Sequence, residues 1–248
     1  MRQRAAQAAS ETILRAATRV FSRHGFDGGS IELIAKAAKT YDRMIYHYFG
    51  SKEQLFIAVI EAAYQRFNEA ESSLALDTAH PVQALRQVVC FIWGYYRDHP
   101  EFITLLNAEN LMRGKHIARS SRARDYSSAA LAITDRVLAS GVAQGLFRAD
   151  ASARDVYLMM AAMGYFYLSN RYTLSAFLGE DLQAPAALAH WERFVVDSVL
   201  RTVAAGPPAT SGSRPRRRAA STASAGSSAP INKHNGPGSA RRIRHPPD

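Results

Sequence analysis

The stretch that most restricts how this chain can fold is Ser30 to Lys52, SIELIAKAAKTYDRMIYHYFGSK. Its apolar residues recur at helical spacing, but in two short blocks with a three-residue break between them. Ile31, Ile34, Ala35 and Ala38 mark one face of a first helix. Ser30 precedes it as an N-cap residue, and Glu32 sits in the first turn, where the helix dipole favours an anion. Lys39-Thr40-Tyr41 interrupts. A second short helix comes next, with Met44 or Ile45 and Phe49 turned inward and Asp42, Arg43, Tyr46 and His47 turned outward. Gly50 ends it and Ser51 starts a third helix. A short second helix with an exposed polar and aromatic face is what the major groove of DNA accepts.

Charge placement fits that reading. The 248 residues allow one large domain, or a small one plus a larger one, and 47% hydrophobic content supplies a core. Of the formal net charge of +10, the segment from Gly206 onward holds +7, with eight basic residues and one acid. Residues 1–50 carry eight bases against four acids, a modest positive patch suited to phosphate contact. The one cysteine, Cys90, lies among Val88, Val89, Phe91 and Ile92 and reads as a buried small hydrophobe. No signal-type apolar run opens the sequence, and no stretch reaches the ~18–20 apolar residues of a membrane span. A soluble, cytoplasmic protein is expected. The eight histidines show no zinc-type pairing, and neither a glycine-rich phosphate loop nor G-x-S-x-G is present. No catalytic residue, cofactor or metal site is therefore expected.

In chain order, residues 1–9 read as an Arg-bearing arm, either a minor-groove arm through Arg2 and Arg4 or a loose end. Ser10 to His24 is an amphipathic helix with Ile13, Leu14, Ala17, Val20 and Phe21 in one stripe, ended by Gly25. It should brace the two short helices. Ser51-Lys52-Glu53-Gln54 has capping-box form and opens a helix to about Leu74, the mechanical link between the head and the remaining helices. Further helices are expected over Val82–His99, Pro100 to near Gly114, about Tyr126–Ser140, Asp155–Tyr172 (after a second capping box at Ser152) and Ala184–Ala204. From Gly206 the Pro, Ser, Ala, Gly and Arg content is that of a disordered segment. No strand pattern and no repeat is visible.

Residues of about 10–60 resemble the DNA-binding head of TetR/AcrR-type transcriptional regulators. The landmarks are Ala16-Ala17, Phe21, Gly25-Phe26, Ser30, Ile34-Ala35, Ala38, Ile45-Tyr46, His47, Phe49, Ser51-Lys52-Glu53 and Leu55-Phe56. Beyond residue 70 the likeness is architectural. It implies an all-α protein: a three-helix helix-turn-helix head over residues 7–67 (motif about 30–49), a helical effector-binding and dimerisation domain over 68–204, and a disordered basic tail over 205–248. It also implies a DNA-binding set of Ser30, Lys39, Thr40, Tyr41, Asp42, Arg43, Met44, Tyr46, His47 and Lys52. Within that set Arg43 is suited to guanine, Tyr41 and Met44 to thymine methyls, Tyr46 and His47 to phosphate or neighbouring bases, and Lys52 to phosphate at a helix N-terminus. Tyr48 reads as core packing.

The same resemblance implies a homodimer on a palindromic operator, with Met159, Phe166, Trp191, Phe194, Val195 and Val199 as interface candidates. It implies an unidentified small-molecule effector held among Trp93, Tyr96, Phe102, Asn107, Asn110, Arg113, His116, Tyr126, Met163, Tyr167 and Asn170, with ligand lowering operator affinity. One departure stands out: Lys39-Thr40-Tyr41 replaces the family's Gly-Val-Ser-like turn, so Thr40 or Asp42 must take over capping. The competing reading is a nonspecific or architectural DNA-binding protein that uses head and tail; an enzyme is disfavoured.

Overall fold

Helices start where the side chains supply a cap. In the computed structural model, which describes residues 2–206 (without the side chains of 2, 3, 123, 124 and 126–130), the hydroxyls of Ser30, Ser51 and Ser152 accept from the backbone N–H of Leu33, Gln54 and Asp155 at 3.2, 3.1 and 3.3 Å. Each satisfies one of the free donors of a first turn. The elements are α1 (Arg2–Gly28), α2 (Ile31–Ala38), α3 (Asp42–Phe49), α4 (Lys52–Ser72), α5 (Pro81–Asp98), α6 (Pro100–Leu111), a 3₁₀ turn (Ile117–Arg119), α7 (Ala123–Ala143), α8 (Ala153–Ser169), α9 (Arg171–Leu178) and α10 (Pro185–Val203). Among the described residues there is no strand, only one isolated antiparallel bridge between Phe147 and Ala204. The protein is all-α, as expected. No helix among these residues is long and apolar enough to cross a membrane.

α1 lies across α2 and α4, and α3 closes the head between them. Phe21, Ile34, Ile45, Leu55 and Phe56 are fully buried at the centre. Gly25 turns the chain with φ 67°, a left-handed conformation that a side chain would strain, and divides α1 from its last turn. That turn brings Phe26 back onto Phe56 at a ring distance of 5.1 Å, while Phe21 meets Phe56 edge-on at 5.0 Å.

The body is built around α5, which packs on α7, α8 and α10. Trp93, Leu85 and Ile92 of α5 are fully buried. Gly164 lets α8 come close to α5: a Cβ there would stand 3.1 Å from Cδ2 of Tyr96. Head and body share one hydrophobic core that runs without a break from Ile13 to Val203. Cys90 is half-buried, and burial pushes its thiol above the ordinary value.

Several elements differ from the sequence reading. Residues 2–9 are not an arm but the opening of α1. α4 ends at Ser72, two residues short of the expected Leu74. The apolar run from Asp155 to Tyr172 is two helices, because Asn170 leaves helical geometry (φ −105°, ψ 8°), ends α8 and starts α9. The tail expected to be disordered lies, from residue 207 on, outside the described residues.

Candidate functional site

α3 has two faces. Ile45 is fully buried, and Met44, Tyr48 and Phe49 are half-buried against the core. On the other side Arg43, Tyr46 and His47 fall at i, i+3 and i+4 and are exposed, as is Tyr41 just before the helix. Tyr41 is 72% and Tyr46 51% exposed, a large aromatic area for a surface with no function. The Arg43 guanidinium lies 5.3 Å from the centre of the Tyr41 ring, so the two form one projecting unit. Lys39 is exposed, and Thr40 and Asp42 are half-buried beside them. A shallow depression lined by Glu32, Lys36, Thr40, Tyr41, Asp42 and Arg43 separates α2 from this unit.

The turn between α2 and α3 meets the family's missing glycine by strain. Lys39 adopts φ 53°, ψ 46° as the left-handed cap of α2, and its N–H and that of Thr40 bond back to Lys36 and Ala35 at 3.2 and 2.9 Å. Neither Thr40 nor Asp42 caps α3: Tyr41 holds the N-cap position with no side-chain bond. A non-glycine residue in this conformation costs about 1 kcal/mol. Lys39→Gly is therefore expected to raise the unfolding free energy by about 0.5–1 kcal/mol. Thermal unfolding checks this, and an unchanged or lowered Tm would show the turn to be unstrained.

Two residues of the expected DNA set are occupied within the chain. The Ser30 hydroxyl caps α2 by accepting from the Leu33 N–H, and a separate hydrogen bond from that hydroxyl to Glu32 is the largest cause holding the Glu32 carboxyl below the usual carboxylate range. The Lys52 ammonium donates to the Asp27 carbonyl at 3.4 Å and lies 4.7 Å over the Phe26 ring.

Lys52 stands beside a buried junction between head and body. Glu109, near the end of α6, accepts from the backbone N–H of His116 (2.7 Å) and Ile117 (2.9 Å) and from His116 Nδ1 (2.8 Å). The His116 ring, fully buried, contacts Phe26 at 4.5 Å and Phe56 edge-on at 4.9 Å. His116 was expected to face an effector; it is instead sealed into the joint, because Glu109 draws its ring and backbone inward.

A cavity of about 520 Å³ opens on the other side of that segment. α4 contributes Tyr64, Phe67 and Asn68; α5, Tyr96; α6, Phe102, Leu106 and Asn110; the 3₁₀ turn, Ile117; and α8, Tyr157, Leu158, Ala161, Ala162 and Tyr165. Of the expected effector residues, Tyr96, Phe102 and Asn110 line it. Trp93 is packed behind it against Tyr167 at 5.6 Å. Asn107 accepts from the hydroxyls of Tyr165 and Ser169, tying α6 to α8. Arg113 is exposed, Tyr167 donates to the Leu182 carbonyl at 2.9 Å, Asn170 ends α8, and the Met163 carbonyl receives the Trp191 indole N–H at 3.2 Å. The side chain of Tyr126 lies outside the described residues. No residue of α4 was expected here, and on α8 Met163 and Tyr167 were expected where Tyr157, Ala161 and Tyr165, at i, i+4 and i+8, form the lining face.

On the far side of the body, Phe166 (57% exposed) and Phe194 (48%) project outward. Trp191 and Met159 are half-buried, and the Trp191 ring stacks on Tyr167 at 4.9 Å. Val195 and Val199, expected at an interface, are buried in the chain's own core, on a helix that packs against α5 and α8.

Two family models match this chain. The one described as bacterial regulatory proteins of the tetR family covers residues 13–59, and a tetracyclin repressor-like C-terminal domain covers 81–199. The HTH-type transcriptional repressor NicS of Pseudomonas putida is 50% identical over 201 residues, spanning 81% of this chain and 95% of that protein. Among solved structures, a TetR transcription regulator from Haloarcula marismortui superposes with a TM-score of 0.61 at 17% identity, over 80% of this chain and 99% of its own. A tetR-family regulatory protein from Rhodococcus gives 0.60 at 16%, over 80% and 98%. These two likenesses speak for the fold, the matched models and the 50% relative for the lineage. The chain belongs to the TetR family of helix-turn-helix transcriptional regulators.

Proposed function

We propose that this regulator is a repressor that binds a palindromic operator as a homodimer and releases it when a small molecule enters the cavity. The observation that carries the reading is a shared wall. Leu106, Asn110 and Ile117 line the cavity, while Glu109 and His116, their chain neighbours, hold Phe26 and Phe56 of the head. A ligand that shifts the end of α6 or the 3₁₀ turn must move that clamp, and with it the angle of the head. A small displacement is transmitted because packed joints have discrete arrangements. The relative named as a repressor supports the sign of regulation.

On this reading residues 7–67 form the head and 68–204 the effector and dimer body, working in the cytoplasm. Tyr41, Arg43, Tyr46 and His47 enter the major groove, and Phe166, Phe194, Trp191 and Met159 face the second subunit. Two heads on successive grooves require half-sites about 34–36 Å apart or a multiple of that.

Selection of bound DNA from a random pool tests the operator. A two-fold symmetric sequence logo is the expected result, and a logo without symmetry would remove the dimeric reading. Arg43→Ala should weaken the selected operator by about 10–100-fold and relax preference at one base pair per half-site. An equal loss on random DNA would instead make Arg43 a phosphate contact.

A further inference from the structure

One turn of α4 beyond the cavity lies a buried acid. Tyr64, Phe67, Asn68 and Glu71 fall at i, i+3, i+4 and i+7, one face of α4. The first three line the cavity, and Glu71 lies one turn further along that face. Glu71 is 1% exposed, and neither carboxylate oxygen has a hydrogen-bond partner. Such a group is rare, since a buried carboxylate ordinarily carries a paired cation or several donors. Among the described residues, no lysine or arginine lines the cavity. The charge of Glu71 is felt by the hydroxyls of Tyr96 and Tyr157, two cavity residues on α5 and α8.

The remaining wall is aromatic. Phe102 meets Tyr64 edge-on at 5.5 Å and stacks on Phe67 at 5.6 Å and on Tyr96 at 5.7 Å. Ring faces carry negative potential and attract cations when water is excluded. An unpaired acid and a set of ring faces, with no basic group, favour one kind of guest. An organic anion there would stand near a carboxylate with nothing to offset it.

We propose that the effector of this regulator is a compact organic cation whose charged nitrogen carries N–H donors, an amidinium or ammonium type, bound among these rings with its N–H groups on the Glu71 carboxylate. This rests on the reading of the cavity as the effector site and adds the charge and the donor.

The test uses three molecules of nearly the same shape: benzamidinium, benzamide and benzoate. They are titrated calorimetrically at pH 8 into the full-length chain, into Glu71→Gln and into Ala161→Phe. Ala161 lines the cavity, so its replacement by phenylalanine fills the space without touching Glu71. Benzamidinium should bind at least about tenfold tighter than benzoate. Glu71→Gln should remove that preference while changing benzamide affinity by less than about twofold, and Ala161→Phe should abolish binding of all three. If benzoate binds as well as benzamidinium, or the preference survives in Glu71→Gln, the proposal is overturned. If the neutral or anionic molecule binds and Ala161→Phe removes it, the effector cavity stands and only the cationic class falls. If none binds at millimolar concentration, or binding survives in Ala161→Phe, cavity and class fall together.

Discussion

Glu109→Ala is expected to lower the unfolding free energy by about 3–5 kcal/mol. The carboxylate accepts three hydrogen bonds: two buried ones from the backbone N–H and ring of His116, and a half-buried one from the backbone N–H of Ile117. Alanine leaves all three donors unpaired, two of them buried. It also frees the ring that rests on Phe26 and Phe56. Glu109→Gln keeps one acceptor oxygen for the two backbone donors and should lose only about 1–2 kcal/mol. Urea unfolding of the two variants decides it. If alanine and glutamine cost the same, or if alanine costs less than about 1 kcal/mol, Glu109 does not hold the joint. Glutamine is also the better variant for function, because its head should remain folded while the clamp is loosened. Its operator affinity then reports the clamp alone.

The second large effect is one of pH. Burial raises the Glu71 carboxyl from 4.5 to about 7. A group that holds its proton more tightly when folded adds stability below its unfolded value and loses that addition as pH rises through the folded one. The contribution is thus full below about pH 4.5 and gone above about pH 7. A shift of this size corresponds to about 3 kcal/mol. Glu71→Gln abolishes the titration. The stability of the variant relative to the natural chain should therefore climb by that amount between pH 4.5 and pH 8. A constant offset from burying the amide does not affect the slope, which is the quantity to measure. A flat difference across that range would mean that Glu71 titrates as an ordinary surface acid.

The head was legible in the sequence because its information is local. Ile31, Ile34, Ala35 and Ala38 give a face within eight residues, and Ser30 and Ser51 give the starts. Tyr41, Arg43, Tyr46 and His47 emerge as the outward side once Ile45 is inward. The body resisted because periodicity identifies an apolar face without saying what covers it. Val195 and Phe194 are neighbours on α10, yet one is buried in the core and the other faces out. His116 sits in a polar run, KHIARSSRARD, without an apolar helical face; only the carboxylate seven residues earlier makes it a core group. Glu71 was invisible for the opposite reason. A glutamate near a helix end reads as solvated, and nothing local signals that the fold buries it.

The unbroken core between head and body has a consequence for exchange of parts. The DNA-reading helices cannot be treated as a cassette. Phe26 and Phe56 are finished by a histidine supplied from beyond α6, and α1 packs along α6 itself. A hybrid that joins this head to another body must also inherit the collar from Glu109 to Ile117, or the transplanted helices will lack their last wall. Head and body are joined in this chain by a shared seam, so lineage change in one is constrained by the fit of the other.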